Sequence, residues 1–138
     1  MKRHVLKDTQ EHPNRIYGLV CAKPFTQMVW NLCEMLDIPF ERDIDITLKN
    51  KTETKHWPRF TFFDEDMETT YSIVKNKGVD NILAPELRNV DAFLIETNHS
   101  LTFQLSLDKV SQTSFIDFCF EVTPKMINEE TDLLLYID

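Results

Sequence analysis

A succession of three short strand-like segments in the first half of the chain is the feature that most constrains its fold. Residues 40–48 alternate apolar with charged side chains, whereas 57–63 and 71–75 are rich in aromatic and β-branched residues. Polar links at 49–55 and 64–68 separate the three segments. Links this short join antiparallel neighbours, because a parallel crossover needs a dozen or more residues. The sequence therefore predicts an antiparallel meander.

Further periodic segments flank this meander on both sides. Apolar residues from Phe25 to Leu36 recur at helical spacing, directly after a proline that suits the first turn of a helix. Residues 100–111 fit two patterns: alternating leucines and phenylalanine as in a strand, or a shared apolar helical face after a serine N-cap. We favour the helix. The other predicted strands are 16–22, 90–96, 115–122 and, at the C-terminal edge, 133–137.

This order of elements predicts an α+β fold: a mostly antiparallel sheet of about five to seven strands with two helices packed on one face. Residues 90–96 are apolar on both faces, which places that strand at the centre. Charged residues along the other strands are expected to face water on the face of the sheet opposite the helices. The chain has 138 residues, the size of one domain. We assign residues 1–13 to a flexible N-terminal arm and 14–138 to a single α+β domain.

Charge and composition argue against several classes of function. A net charge of −8 opposes binding to nucleic acid, because an acidic surface repels phosphates. No apolar stretch approaches the length of a membrane span, so we predict no membrane contact. With two glycines, the chain lacks a glycine-rich loop for phosphate groups. Three cysteines without a Cys-x-x-Cys pair, and no signal peptide, favour the reducing cytoplasm.

The sequence shows neither a metal centre nor a catalytic constellation. The acids of residues 64–68 are typical of a solvated hairpin tip, because a calcium loop also needs a glycine and a fixed ligand spacing. The four histidines stand far apart, without a second histidine or a cysteine at ligand spacing. No Gly-x-Ser-x-Gly elbow occurs. We therefore predict no cofactor and no metal, and favour a non-enzymatic function.

The most distinctive stretch is ILAPELRNVDAFLIE, residues 82–96, in which a proline-led turn precedes the central strand. Glu86 lies near the start of the turn, and Asp91 lies where the strand begins. We expect both carboxylates to accept backbone hydrogen bonds that would otherwise lack partners. The alternative is a ligand-binding site formed by Glu86, Arg88 and Asp91.

The same stretch resembles the signature of the IPExxxVDY family. Ala84-Pro85-Glu86 and Val90-Asp91-Ala92 match it, except that Ala84 replaces the usual isoleucine and Ala92 the usual tyrosine. The resemblance implies a small cytosolic bacterial protein and supplies no catalytic mechanism. Without this tyrosine, the chain lacks a side chain that could line a ligand pocket, so the resemblance does not imply such a pocket here. Further similar segments are the helix at 27–32, the aromatic strand at 60–64 and the late strand at 120–122, so that the resemblance covers residues 15–137.

Aromatic residues crowd the predicted hairpin between residues 57 and 75. Two small helices are expected to leave part of it uncovered, and an uncovered apolar patch marks an interface. The predicted interface residues are Trp57, Phe63 and Tyr71. The leading hypothesis is a cytosolic, non-enzymatic binding or scaffold domain that forms a homodimer or binds a protein partner. The alternative is a small-molecule sensor or enzyme with a pocket beside the 84–91 loop.

Overall fold

A computed structural model of the chain describes residues 13–49, 52–78, 81–128 and 131. Its six strands form one sheet in which every neighbouring pair is antiparallel. The strands are β1 (Asn14–Val20), β2 (Glu41–Lys49), β3 (Thr54–Asp64), β4 (Thr69–Lys75), β5 (Ala92–Thr97) and β6 (Phe118–Val122). Their order in the sheet is β2-β3-β4-β5-β1-β6. The predicted strand at 133–137 and the predicted arm, apart from Pro13, lie outside the described residues.

Two α-helices lie wholly within the described residues, α1 (Phe25–Leu36) and α2 (Leu107–Ser111). Asp37 ends α1 in the left-handed conformation, with φ of 56°, and its backbone N–H donates to the carbonyl of Cys33. Short 3₁₀ turns occur at Pro85–Leu87 and Pro124–Met126. No helix in the described ranges is long and apolar enough to cross a membrane. The predicted α+β class and the predicted α1 are confirmed.

The predicted helix at 100–111 is wrong in its first half, because α2 begins at Leu107. The carboxylate of Glu96 explains the difference. It accepts the backbone N–H groups of Gln104 at 2.6 Å and Leu105 at 3.1 Å. Helical N–H groups would instead donate to carbonyls four residues earlier. A side chain of β5 therefore holds this segment in a non-helical conformation.

The larger core lies between the helices and the sheet. Both helices contribute to it, which confirms that they pack on one face. Side chains from β1, β4 and β5 form the floor, and α1 covers them with a continuous apolar stripe. The buried residues that carry most of this core are Tyr17, Leu19, Met28, Val29, Leu32, Tyr71, Ile73, Leu94 and Val110.

A second core covers the opposite face, which corrects the expectation that charged residues wet that side. Trp57, Val74 and Phe93 are buried there. The segment between β4 and β5 folds back across the sheet and supplies the covering side chains. These are Leu83, Ala84 and Val90, joined by Ile127 from the segment after β6. The loop that carries the 84–91 motif is therefore part of the core.

Close packing around Gly78 gives a first prediction, that Gly78→Ala lowers the free energy of unfolding by about 1–2 kcal/mol. A Cβ at this position would lie 2.7 Å from the backbone oxygen of His56 and 2.9 Å from Oδ1 of Asn81. The backbone oxygen of His56 cannot rotate away as a flexible side chain can. The loop that contains Gly78 would therefore have to shift. Urea unfolding measures the loss.

Gly18→Ala is the matched control for this prediction. Its Cβ would approach atoms of the Phe120 ring, at 2.9 Å, and these lie at the far end of a movable side chain. The loss is therefore expected to be smaller than at Gly78. If both variants lose the same free energy of unfolding, the backbone around Gly78 is not more rigid than the Phe120 ring.

Candidate functional site

Asn76, directly after β4, organises the motif loop through its side chain. This residue is fully buried. Its Nδ2 donates to the carbonyls of Leu87 at 3.1 Å and Val90 at 2.8 Å. Its Oδ1 accepts the N–H of Ala84 at 2.8 Å. One amide side chain thus satisfies three backbone groups of the loop, at both ends and in the middle.

The backbone of Asn76 extends the same network. Its N–H donates to the carbonyl of Asp91 at 3.0 Å, and its carbonyl accepts the N–H of Leu83 at 2.7 Å. Five hydrogen bonds therefore join a single residue to the loop. Sequence reasoning missed Asn76, because an asparagine after a strand is usually read as a solvent-exposed turn residue.

Asp91 joins the motif loop to the end of β1. Its Oδ2 accepts the backbone N–H of Cys21 at 2.8 Å. Its Oδ1 lies 3.5 Å from Nζ of Lys77, in a partly exposed ion pair. The expectation that Asp91 accepts a backbone hydrogen bond is confirmed. Its partner is a distant strand end and not a neighbouring residue of the turn.

Glu86 joins the same loop to the segment that follows β6. Its Oε2 accepts the backbone N–H of Asn128. The expected backbone hydrogen bond is therefore present, although it ties two segments together and does not cap the local 3₁₀ turn. Arg88 is exposed, one residue beyond that turn. Glu86 and Asp91 thus accept backbone N–H groups from two different segments. The ligand-binding role of Glu86, Arg88 and Asp91 stays a prediction.

The contact of Glu86 gives a second prediction, that Glu86→Ala lowers the free energy of unfolding by about 1 kcal/mol. The variant leaves the N–H of Asn128 without its acceptor and frees the segment after β6. Urea denaturation measures the change. Arg88→Ala is the matched control, since this exposed side chain is expected to change stability by less than about 0.5 kcal/mol. Equal stability of the two variants would show that the hydrogen bond from Asn128 to Glu86 does not stabilise the fold.

The predicted aromatic interface is corrected for two of its three residues. Trp57 is 2% exposed and Tyr71 is 4% exposed. Trp57 belongs to the core under the motif loop, and Tyr71 belongs to the core under the helices. Neither can contribute to an exposed patch, and they lie on opposite faces of the sheet. Phe63 is 54% exposed, and it lies near the end of β3.

The β2 edge of the sheet is closed by its own side chains. A bulge interrupts the pairing of β2 with β3 between Asp43 and Ile46. The guanidinium of Arg42 donates to the carbonyls of Asp43 at 2.6 Å and Arg59 at 3.1 Å. Nε of Arg59 donates to the carbonyl of Ile44 at 3.0 Å. A bulged edge with occupied carbonyls is a poor template for another strand.

The carboxylate of Asp43 reinforces this edge. It accepts the N–H of Ile44 at 2.7 Å and the hydroxyl of Thr61 at 2.9 Å. The N–H of Ile44, and then the Thr61 hydroxyl, hold the pKa of Asp43 below its ordinary value. The charged form of this side chain is therefore part of the edge structure over the neutral range.

An aromatic surface lies on β6, at the other end of the order of the described strands. Phe118 is 60% exposed, and its ring centroid lies 5.9 Å from that of Phe120. The Phe120 ring lies over Gly18, which leaves space for it. Val20 pairs directly with Phe118 across β1 and β6, so both side chains project from the same face. We call Val20, Phe118 and Phe120 the β6 aromatic surface.

Glu96 is the described acid that is most deeply enclosed, and its charge affects the pKa of a neighbouring tyrosine. Glu96 is fully buried, and burial raises its pKa, while the N–H groups of Gln104 and Leu105 oppose the rise. Burial also raises the pKa of Tyr71 to about 12, helped by the charge of Glu96. Within the described ranges, no three His, Cys, Asp or Glu side chains come together as a metal site.

A scan of the chain against protein-family models matches no family, and a search of curated proteins finds no significant match. The class that the structure defines is an α+β domain with one antiparallel six-stranded sheet. The resemblance to the IPExxxVDY family stays a prediction.

Proposed function

We propose that the chain is a non-enzymatic binding domain that self-associates through the β6 aromatic surface. The observation that carries the proposal is the 60% exposure of Phe118 beside a second aromatic ring. Large aromatic side chains dominate the energy of protein interfaces, because they bury a large apolar area with few rotatable bonds. β6 lies at the end of the order of the described strands, beside β1.

Three of the described acids accept backbone hydrogen bonds, which supports a non-enzymatic function. Glu86, Asp91 and Glu96 each accept at least one backbone N–H. A general acid or base needs a carboxylate that can reach the proton of a substrate. These three instead hold segments of the fold together. The proposal therefore places function on an apolar surface and not in a cleft.

The compartment that we propose is the cytosol of a bacterium, in keeping with the resemblance to the IPExxxVDY family. Cys21, Cys33 and Cys119 are free thiols. Burial raises the pKa of Cys119 to about 11, which keeps this thiol protonated and unreactive. Free thiols are usual where a reducing environment is maintained.

Light scattering across a concentration range tests self-association, and it gives our third prediction. The wild type is expected to dimerise, and Phe118→Ser to raise the dissociation constant by about tenfold or more. Added salt is expected to favour the dimer, because copies with a net charge of −8 repel each other at low ionic strength.

Phe63→Ser is the matched control, since Phe63 is a phenylalanine of similar exposure at the hairpin end. It is expected to leave the dissociation constant unchanged. A strictly monomeric wild type would overturn self-association. A loss of dimer in Phe63→Ser, with Phe118→Ser unaffected, would overturn the β6 surface and restore the hairpin as the interface.

A further inference from the structure

Two buried polar side-chain atoms lie where the segment between β4 and β5 begins to cross the sheet. They are Nε1 of Trp57 and Oδ1 of Asn81, and neither has a hydrogen-bond partner among the described residues. Trp57 belongs to β3 and is 2% exposed. A buried polar atom without a partner loses the hydrogen bond that it makes with water in the unfolded chain. Native folds rarely leave such atoms unpaired, so we expect both to have a partner in solution.

Gly78 brings these two atoms to one place. Its N–H donates to the carbonyl of Asn81 at 2.7 Å, and the flanking residues Lys77 and Ile82 form an antiparallel bridge. A Cβ at Gly78 would lie 2.9 Å from Oδ1 of Asn81 and 3.3 Å from Cδ1 of Trp57, the carbon that is bonded to Nε1. The unpaired donor and the unpaired acceptor therefore border the same glycine.

A third polar atom, the backbone oxygen of His56, borders this glycine as well. It would lie 2.7 Å from a Cβ at Gly78. A carbonyl oxygen has two lone pairs, so it can accept a further hydrogen bond besides one within a sheet. The atoms around Gly78 thus comprise one N–H donor and two oxygen acceptors, and none of these groups is charged.

We propose that one water molecule binds beside Gly78, between Trp57 and Asn81. It accepts the indole N–H of Trp57 and donates to Oδ1 of Asn81 and to the carbonyl of His56. A buried water typically makes about three hydrogen bonds, which is the number that this site supplies. An anion could not donate to the two oxygens, and a metal cation could not accept from the indole. The burial of Trp57 favours an occupant as small as water.

This water fastens the segment that leads into the motif loop to β3. His56 and Trp57 belong to β3, whereas Gly78 and Asn81 precede the motif loop in the chain. The side chain of Asn76 fastens the later part of the same segment. The site does not depend on self-association through the β6 aromatic surface, so either proposal can fail without the other.

Water NOE and ROE spectra of the isotope-labelled full chain test the proposal, because its two tryptophans give two indole N–H signals. Trp57→Phe and Trp30→Phe assign them. The indole of Trp57 is expected to show water cross-peaks of opposite sign in the two spectra, the signature of a water molecule that tumbles with the protein. Trp30, which is 62% exposed, is the internal control and is expected to lack this signature. Absence of the cross-peaks at Trp57 would overturn the proposal, and so would cross-peaks of equal sign, which mark proton exchange with bulk water.

Asn81→Leu and Asn81→Asp separate the acceptor from the volume of the side chain. Leucine is similar in volume but has no acceptor, so the water signal of Trp57 is expected to be lost. Aspartate keeps an oxygen at this position and is expected to retain the signal. A signal of full intensity in Asn81→Leu would overturn the assignment of Asn81 as a partner of the water. Loss in both variants would overturn it too, because disturbed packing would then account for the loss.

Discussion

Asn76→Asp is expected to lower the free energy of unfolding by about 3–5 kcal/mol at neutral pH. The substitution preserves the shape of the side chain and replaces its donor Nδ2 with an oxygen. That oxygen would face the carbonyls of Leu87 and Val90, which now accept hydrogen bonds from Nδ2. A charge would also be buried where the native side chain is fully enclosed. Urea unfolding at neutral pH measures the loss.

Asn89→Asp is the matched control, because it makes the same chemical change at an exposed position of the same loop. It is expected to change stability by less than about 0.5 kcal/mol. The loss in Asn76→Asp is expected to become smaller as the pH falls from neutral toward about 4, because the buried carboxyl takes up a proton in the folded chain before it does in the unfolded chain and can then donate to one carbonyl. Equal stability of the two variants would show that Asn76 does not hold the loop.

The sequence predicted those parts of the fold that depend on local patterns. The meander, α1 and the central position of β5 follow from periodicity and from the length of apolar runs. The sequence predicted that Glu86 and Asp91 accept backbone hydrogen bonds, but the donors do not belong to the turn itself. Their partners, Asn128 and Cys21, lie far along the chain, so no local pattern could identify them.

The sequence failed where burial depends on distant segments. Trp57 and Tyr71 were predicted to be partly exposed, because no local pattern shows that the 83–90 segment covers Trp57 or that α1 reaches Tyr71. Asn76 and Glu96 look like ordinary polar residues, although each is fully buried and satisfied by hydrogen bonds. Alternation along β6 puts Phe118 and Phe120 on one face, but only the order of the described strands shows that β6 is the last of them.

Glu96→Ala is expected to lower the free energy of unfolding by about 3–5 kcal/mol, the second large effect. The variant leaves the N–H groups of Gln104 and Leu105 without their acceptor, and Leu105 is buried. It also removes the support that holds residues before α2 against the sheet. The remaining contacts of this segment with β1 include the Tyr17 hydroxyl, which donates to the carbonyl of Leu105 at 3.3 Å, and the Arg15 guanidinium over the Phe103 ring. Glu34→Ala, at an exposed helix position, is the control and is expected to be near neutral.

The pH dependence of stability distinguishes a buried carboxylate at Glu96 from a merely well-packed side chain. Burial raises its pKa above the ordinary value of 4.5, so the folded chain binds this proton more tightly than the unfolded chain does. The stability that protonation contributes is therefore fully present below pH 4.5 and is lost as the pH rises through the higher folded value. Glu96→Gln cannot titrate, although it loses one of two acceptors.

The measurement is the difference in free energy of unfolding between wild type and Glu96→Gln, taken by urea titration from pH 4 to pH 8. The advantage of the wild type is expected to decline as the pH rises, because only the wild type pays for ionising a buried group. Other carboxylates, such as Asp43, titrate in both proteins and cancel in the difference. An advantage that stays constant across this range would show that Glu96 is ionised as easily in the folded chain as in water.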